Sequence, residues 1–157
     1  MELDKDLRSR QQVRILAEAA RRAQETLAAF SQDQLDRICE AIAACGMEHA
    51  EELGRMAHEE TGFGKPEDKA LKNQFACEGV MSAIRGMTCV GRLAEDREKR
   101  TMDIGVPVGV IAGIVPSTNP TSSVFYKSLI SIKSGNAIVF SPHPNAASCT
   151  VRAAELA

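Results

Sequence analysis

Apolar residues in the first half of the chain recur at steps of three and four, which is the spacing of one face of an α-helix. The first such stripe runs from Val13 through Leu16 to Phe30, and charged residues lie mostly off it. Ser31 and Gln34 then have the spacing of a capping box, in which each side chain bonds the backbone N–H of the other residue. A second amphipathic helix is therefore expected after Ser31.

Glycine and proline mark the ends of the next helices. Gly46 suits the position after the second helix, and Gly62 suits the end of a third helix that starts near Glu48. Pro66 suits the first turn of a fourth helix, because its missing N–H is not needed there. Together these signals predict a helical layer over residues 8–87. The residues expected to be buried from the fourth helix onward are Leu71, Phe75, Val80 and Ile84.

The pattern changes after the helical layer. Residues 91–100 are mostly charged and are expected to form a solvated connection. In the next segment Met102, Ile104 and Val106 occupy alternate positions, which is typical of a strand with one buried face. Residues 100–106 are therefore predicted to form a strand, in an antiparallel arrangement.

Two apolar runs then flank one amphipathic helix. Residues 110–115 are apolar at nearly every position, which is typical of a strand that is buried on both faces. Residues 137–140 form a second such run, and residues 120–134 form the helix between the two. This order predicts adjacent parallel strands joined by a right-handed crossover. A last helix follows and is expected to be capped by Asn145.

The order of the elements predicts an α/β fold with an N-terminal helical layer, in which residues 108–157 begin a parallel βαβα unit. Two parallel strands alone leave their outer edges and much of their faces uncovered. The sheet is therefore expected to be incomplete and the chain to be the front portion of a larger domain. The alternative is a compact helical protein with a small sheet.

Composition narrows the classes of function. The 157 residues include 44% hydrophobic and 25% charged residues, and the formal net charge is -2. No basic excess indicates nucleic acid as a partner, and no apolar run approaches the ~20 residues that span a membrane. The five cysteines form no Cys-x-x-Cys pair, so neither disulfides nor a metal site is predicted. A reducing cytoplasm fits this pattern best.

Candidate chemistry lies where the first apolar strand ends, in the turn from Pro116 to Pro120. Asn119 is a strong helix-capping residue, and Pro120 suits the first helical position. Open α/β sheets bind their ligands at this edge. Asn119 is therefore either a cap alone or a cap that also presents its amide to a substrate oxygen. His143 follows the second strand at the same edge, although an exposed loop histidine is the simpler interpretation.

Other potentially reactive residues are assigned structural roles. Cys77 and Cys89 lie in stretches that announce neither a base nor an electropositive setting, so both are expected to be buried, inert thiols. His49 and His58 lack the spacing of metal ligands and are expected on the surface. The turn after the first apolar strand contains no glycine-rich dinucleotide fingerprint, so pattern alone does not indicate a nucleotide.

Two long stretches nevertheless resemble a known family. The segment "VPVGVIAGIVPSTNPTSSVFYKSLISIKSGNAIVFSPHPNAAS" is similar to the start of the cofactor domain of aldehyde dehydrogenases, and "HEETGFGKPEDKALKNQFACE" is similar to a stretch before it. Within that superfamily the chain resembles the CoA-acylating acetaldehyde dehydrogenases. These enzymes stand alone, serve bacterial microcompartments or form the N-terminal half of bifunctional aldehyde–alcohol dehydrogenases. The resemblance runs from about residue 8 to the end.

The resemblance implies the first part of a Rossmann-like sheet and an enzyme that converts a small aldehyde, CoA and NAD to acyl-CoA and NADH. NADP is the alternative to NAD, and CoA is a co-substrate. Either Asn119 or Thr118 is expected to stabilise the oxyanion that forms during catalysis. The residues expected to line the nucleotide cleft are Val115, Pro116, Ser117, Thr118, Ser141, Pro142 and His143.

Two departures from ordinary aldehyde dehydrogenases affect these assignments. Ordinary members carry Pro-Trp-Asn-x-Pro at the first turn, and an ungapped alignment places their oxyanion asparagine on Thr118 rather than Asn119. The acylating branch shares the shifted form found here. After the second strand, ordinary members carry a lysine and a glutamate that hold the ribose, whereas this chain has Ser141-Pro142-His143. The resemblance therefore implies that different side chains contact the nucleotide in this protein.

Length is the largest departure, because family members are far longer. Their catalytic cysteine lies in a second domain, and none of the five cysteines here matches it. Residues 1–157 are therefore expected to be the N-terminal portion of the NAD-binding domain, inactive alone. The full-length protein is expected to be a cytoplasmic homo-oligomer, with a microcompartment lumen as the alternative location. Two other interpretations are a non-catalytic helical interaction module and part of a non-acylating aldehyde dehydrogenase.

Overall fold

The computed structural model describes residues 4–157, in which a helical layer precedes two small sheets. Within that range no helix is both long enough and apolar enough to cross a bilayer. The helices are α1 (Lys5–Leu27), α2 (Gln32–Glu48), α3 (Ala50–Thr61), α4 (Pro66–Gln74), α5 (Val80–Ile84), α6 (Pro120–Lys133) and α7 (Ala147–Leu156), with a π-helical turn at Phe75–Gly79 and a 3-10 turn at Pro144–Ala146. The strands are β1 (Gly91–Asp96), β2 (Thr101–Gly105), β3 (Val110–Val115) and β4 (Ala137–Pro142).

Helix α1 carries the predicted apolar stripe, but none of its described residues is buried. Val13 and Leu16 on this stripe are 62% and 44% exposed. The helix lies against β3 and β4, and Gln24 Nε2 donates to the carbonyl oxygen of Gly135 at 3.3 Å. Two strands offer too little apolar surface to cover a stripe that runs the length of a 23-residue helix.

Helix α2 begins as predicted but does not end as predicted. Ser31 Oγ accepts the backbone N–H of Gln34 at 3.3 Å, and Gln34 Oε1 accepts the backbone N–H of Ser31 at 2.9 Å. The predicted end at Gly46 is wrong, because the helix continues past this glycine and buries it. Its role is steric, since a Cβ there would meet Cys77 Sγ and lie 2.8 Å from the Phe125 ring.

The boundary between α3 and α4 follows the predicted signals. Gly62 takes a left-handed φ of 69°, and its N–H bonds to the carbonyl oxygen of His58 at 2.8 Å. Helix α3 therefore ends at Thr61, although it begins at Ala50 rather than near residue 48. Pro66 occupies the first position of α4, where its missing N–H leaves no gap in the hydrogen-bond pattern.

Helix α4 turns a different face inward from the one expected. Leu71 and Phe75, which were expected in the core, are exposed, Phe75 to 74%. Lys69 and Asn73 are buried instead, because they lie on the side of the helix that faces α3 and α6. The inward face of α4 thus carries two polar side chains beside the buried Ala70, and these two need polar partners on the elements that the helix packs against.

The charged stretch after the helical layer is a strand, so the expectation of a connection there is wrong. Strand β1 pairs antiparallel with β2, and Gly91 lies opposite Gly105. Asp96 Oδ1 closes the turn between them, because it accepts the backbone N–H groups of Glu98 and Lys99 at 3.1 and 3.0 Å. The expected burial of one face is also wrong, since this hairpin packs mainly on itself. The exposed apolar side chains of this segment are Leu93, Met102, Ile104 and Val106.

Strands β3 and β4 are adjacent and parallel, as predicted, with Val110 opposite Ala137 and Val115 opposite Pro142. Helix α6 connects them and packs against both. Gly135, with a φ of 73°, ends that helix and turns the chain back into β4. Val80, Ile84 and Ile132 are partly buried against the core, whose buried members are Cys39, Ile42, Leu53, Ala76, Cys77, Met81, Val115, Val124, Phe125, Leu129 and Ala153.

Strand β3 is not buried on both faces within residues 4–157. Gly113 and Val115 are buried, whereas Ile114 between them is 66% exposed. The expectation of a strand covered on both sides is therefore wrong for the described chain. Among the described residues β3 and β4 pair only with each other, so the two-stranded sheet keeps a free edge on each side there.

Helix α7 begins at Ala147 and is not capped by Asn145, so that expectation is wrong. Glu60 of α3 caps it instead, because its Oε1 and Oε2 accept the N–H groups of Ser148 and Cys149 at 2.8 and 2.7 Å. Burial opposes ionisation of Glu60, but the hydrogen bonds from Cys149 and Ser148 outweigh it and lower the pKa of the carboxyl group. A charge-assisted contact at a helix N-terminus thus joins α3 to α7.

We predict that Gly46→Ala lowers the free energy of unfolding by about 1–3 kcal/mol, because the added methyl group overpacks the core beside Phe125. In an open helix the same substitution would stabilise by about 1 kcal/mol. Gly79→Ala is a matched control, since a Cβ there meets only the exposed Phe75 ring, which can move aside. Urea unfolding measures both variants, and equal stability of the two would contradict the packing argument.

We predict that Glu60→Gln lowers the free energy of unfolding by about 1 kcal/mol at neutral pH, because α7 loses an ionised cap. The folded-state pKa of Glu60 is lowered, so its contribution is present above the unfolded pKa of about 4.3 and is lost as the pH falls through the folded pKa. Urea unfolding of both proteins should therefore converge on acidification. Glu59→Gln, at an exposed neighbour, is the control, and a pH-independent difference would argue against an ionised cap.

Candidate functional site

The candidate site lies at the edge of the parallel sheet where β3 and β4 both end. Strand β3 ends at Val115, and the turn Pro116–Asn119 leads directly into α6, whose first residue is Pro120. Proline at both ends of the turn explains the local geometry. Pro116 has no N–H with which to continue the ladder, and the fixed φ of Pro120 matches a helix start.

The two strand ends are joined by the register of the sheet. Ile114 lies opposite Ser141 and Val115 opposite Pro142, and the backbone N–H of His143 donates to the carbonyl oxygen of Val115 at 3.0 Å. The residues predicted from both turns are thus brought together at one edge. Among them Val115 is buried, Ser117 and Pro142 are half-buried, and the exposed members are Pro116, Thr118, Ser141 and His143.

His143 folds back on its own turn. Its Nδ1 accepts the backbone N–H of Asn145 at 3.1 Å, so that nitrogen carries no proton in this arrangement. The neutral ring therefore has its proton on Nε2, which is the ring nitrogen left for a ligand. The exposed position agrees with the simple loop interpretation, and a role in binding a nucleotide stays a prediction.

Asn119 lies at the cap position of α6, but its side chain does not cap the helix. The expectation that the Asn119 side chain caps this helix is therefore wrong. The side-chain oxygen of Asn119 instead accepts a hydrogen bond from α4, where Lys72 Nζ donates to Asn119 Oδ1 at 3.0 Å. The amide nitrogen of Asn119 makes no hydrogen bond to any residue within 4–157, so its two N–H donors remain available.

A second lysine of α4 holds the residue before Asn119. Lys69 Nζ donates to the Thr118 carbonyl oxygen at 2.9 Å, and Lys69 is only 5% exposed. Burial lowers the pKa of Lys69, and the positive charge of Lys72 lowers it further. Neither lysine forms a salt bridge in the part of the chain that the structure describes. The turn is therefore electropositive.

Asn73, one position further along α4, fixes the start of α6. Its Oδ1 accepts the hydroxyl of Thr121 at 2.7 Å, and its Nδ2 donates to the carbonyl oxygen of Ala50 at 3.0 Å. Asn73 is fully buried, so each of these partners satisfies a group that would otherwise be costly. Neither this contact nor the role of the two lysines was predicted from the sequence. Lys69, Lys72 and Asn73 do have the spacing of one helix face, but that spacing does not indicate which elements the face contacts.

Three of the five cysteines are buried thiols. Burial raises the pKa of Cys77 and Cys149 to about 12 and that of Cys39 to about 11, with Glu60 adding to the effect at Cys149. These groups are protonated at neutral pH and agree with the expectation of an inert Cys77. Cys89 is half-buried rather than buried, and its backbone N–H donates to Gln32 Oε1 at 2.7 Å.

The two histidines of the helical layer were expected on the surface, and that expectation is wrong. Both are half-buried, and His49 Nδ1 donates to the carbonyl oxygen of Cys45 at 2.9 Å, where α2 passes into α3. His58 Nδ1 is buried without a hydrogen-bond partner among the described residues. Residues 4–157 contain no group of three or more His, Cys, Asp or Glu side chains arranged to hold a metal ion.

Comparisons with known proteins place this chain in a family. The profile of the aldehyde dehydrogenase family matches residues 5–157. The bifunctional aldehyde-alcohol dehydrogenase of Escherichia coli strain K12 is 45% identical over 141 residues, which are 90% of this chain and 16% of that protein. An acetylating aldehyde dehydrogenase from Geobacillus thermoglucosidasius is 50% identical and superimposes with a TM-score of 0.96 over 99% of this chain and 34% of its own.

A third similar protein was solved with a ligand. The propionaldehyde dehydrogenase of Rhodopseudomonas palustris with bound propionyl-CoA is 31% identical and has a TM-score of 0.72 over 89% of this chain and 31% of its own. The present chain thus spans about a third or less of the length of these three relatives. The match covers both the helical layer and the parallel unit, so it confirms the predicted α/β class and the resemblance to the acylating branch. The chain belongs to the aldehyde dehydrogenase family.

Proposed function

We propose that this chain is the N-terminal part of an NAD-dependent, CoA-acylating aldehyde dehydrogenase that converts a short aldehyde, CoA and NAD to acyl-CoA and NADH. The observation that carries the proposal is the turn after β3, where the Asn119 amide keeps both N–H donors free at an electropositive sheet edge. Such donors suit a ligand oxygen that gains negative charge. The similarity to an acetylating aldehyde dehydrogenase and to an enzyme solved with bound propionyl-CoA supports CoA as the acyl acceptor.

The residues at the two strand ends fit one wall of a nucleotide site. Ser141 and Thr118 are exposed hydroxyl-bearing residues there, and no side chain from residues 4–157 caps the first turn of α6. Uncapped N–H groups and the two lysine charges favour an anionic ligand such as a phosphate. NAD, or alternatively NADP, supplies the hydride acceptor when it is bound. In this proposal Val115, Pro116 and Ser117 line the same wall, as do Pro142 and His143.

The oxyanion is the charge that these residues are placed to stabilise. When a thiolate attacks an aldehyde, the carbonyl oxygen becomes negative and needs a donor where the charge develops. Asn119 Nδ2 offers that donor, and the exposed Thr118 hydroxyl is the rival. Burial holds Cys39, Cys77 and Cys149 as thiols, which supports a nucleophile from elsewhere in the full-length enzyme.

The proposal extends to a homo-oligomer assembled through the β1–β2 hairpin. The hairpin exposes a row of large apolar side chains, with Met102 at 51% and Val106 at 72% exposure. Apolar surface of this kind is usual at protein interfaces and uncommon on free surfaces. The location in this proposal is the cytoplasm, and a microcompartment lumen is the alternative.

We predict that residues 1–157 alone do not oxidise aldehydes. Burial keeps Cys39, Cys77 and Cys149 protonated at neutral pH, so none of these three thiols is an activated nucleophile. The purified chain is mixed with acetaldehyde, CoA and NAD, and NADH is followed by absorbance. The full-length enzyme serves as the positive control. Turnover by the short chain at a comparable rate would contradict the proposal that the nucleophile lies elsewhere.

We predict that Asn119→Asp lowers kcat of the full-length enzyme by about 100-fold or more, because the amide donor is lost. The carboxylate keeps an oxygen for Lys72, so the melting temperature should change little. Thr118→Val removes only the hydroxyl and should leave most of the turnover. The opposite pattern, with normal Asn119→Asp turnover and an inactive Thr118→Val enzyme, would assign the oxyanion role to Thr118.

A further inference from the structure

We propose that Lys72 is a positioning residue that holds the Asn119 amide with its NH2 group toward the reacting oxygen. This inference rests on the proposed oxyanion role of Asn119. An asparagine amide can rotate to exchange its oxygen and nitrogen, and only the nitrogen can donate to an oxyanion. Lys72 Nζ, which has donors and no acceptor, bonds Asn119 Oδ1 at 3.0 Å and therefore selects one of the two orientations.

The helix that carries Lys72 is itself fixed against the turn. Lys69 Nζ bonds the Thr118 carbonyl oxygen at 2.9 Å, and Asn73 Oδ1 accepts the Thr121 hydroxyl at 2.7 Å. Lys69 and Asn73 are themselves buried, and the Asn73–Thr121 hydrogen bond lies inside the protein, whereas the Lys69–Thr118 contact is partly buried. The partners in the turn, Thr118 and Thr121, lie on either side of Asn119, and the two α4 residues lie on either side of Lys72. These two contacts hold α4 against the turn, and this places the ammonium group of Lys72 within reach of Asn119.

The charge of Lys72 also strengthens the donor that it orients. Hydrogen bonds in a chain polarise one another, so an amide whose oxygen accepts from a cation becomes a stronger hydrogen-bond donor through its N–H groups. No carboxylate within residues 4–157 pairs with Lys72, so its charge is not neutralised by a neighbour in that range. The arrangement favours an acceptor that becomes negative during the reaction over one that stays neutral.

A competing explanation is that Lys72 is an ordinary exposed lysine whose contact with Asn119 has no effect on chemistry. Exposed polar contacts often contribute little to stability. The two explanations differ in one measurable respect. If Lys72 acts through Asn119, removing Lys72 slows the reaction only while Asn119 is present, whereas an independent role gives the same effect in either background.

The test is a double-mutant cycle in the full-length enzyme, with Lys72→Met and Asn119→Ala made singly and together. The measurement is the single-turnover rate of NADH formation from propionaldehyde and NAD, together with KM and the melting temperature. We expect Lys72→Met to lower the rate about 10-fold with KM unchanged, since the lost interaction acts in the transition state. Asn119→Ala should lower the rate about 100-fold or more, and the double variant should be slower than Asn119→Ala by less than about 2-fold.

Two further variants separate positioning from general effects. Lys72→Arg keeps the charge and the donors and should restore most of the rate. Lys65→Met, on an exposed lysine just before α4, is the control for loss of one positive charge from the same segment and should leave the rate unchanged. Melting temperatures of the Lys72 variants should match the parent, because the side chain is exposed.

Three results would overturn the inference, and they point to different faults. A normal rate for Lys72→Met beside a slow Asn119→Ala enzyme would remove Lys72 and leave the oxyanion role of Asn119 intact. Full, multiplicative losses in the double variant would show that Lys72 acts without Asn119. A normal rate for Asn119→Ala would refute the oxyanion role itself, and the positioning role with it.

Discussion

The buried hydrogen bond between Asn73 and Thr121 decides where the turn after β3 lies relative to the helical layer. A fully buried amide must find partners, and Asn73 finds one in α3 and one in the first turn of α6. Once α4 is held there, Lys69 and Lys72 on the same face reach the two residues that precede the helix. The sheet edge is thus tied to the helical layer by polar groups, not by its apolar contacts alone.

Local signals predicted the elements whose limits depend on nearby residues. The capping box at Ser31, the left-handed Gly62 and the two apolar runs around α6 all lie where the pattern indicates. The inward face of α4 was not predictable, because apolar Phe75 is the ordinary candidate for burial and the true partners come from α3 and α6. Gly46 shows the same limit, since its neighbours Cys77 and Phe125 are distant in sequence.

The position of the candidate site in the fold was predictable from the sequence, but the hydrogen bonds that hold its side chains were not. Proline at 116 and 120 marks a strand-to-helix turn, and the parallel register then brings Ser141 and His143 beside it. The cap role of Asn119 failed for a physical reason, because a charged donor from another helix competes for the same oxygen and wins over a backbone N–H. Family resemblance supplied the chemistry that neither composition nor periodicity indicates.

Each of β3 and β4 has a free edge, and which strand pairs with that edge depends on the local concentration of available strands. Backbone N–H and C=O groups along an edge do not distinguish a strand of their own chain from one of a neighbouring molecule. A strand on a short tether presents itself at an effective concentration on the order of millimolar, far above that of free molecules in dilute solution. Any strand that continues this sheet in the same polypeptide therefore acts as an internal competitor against self-association.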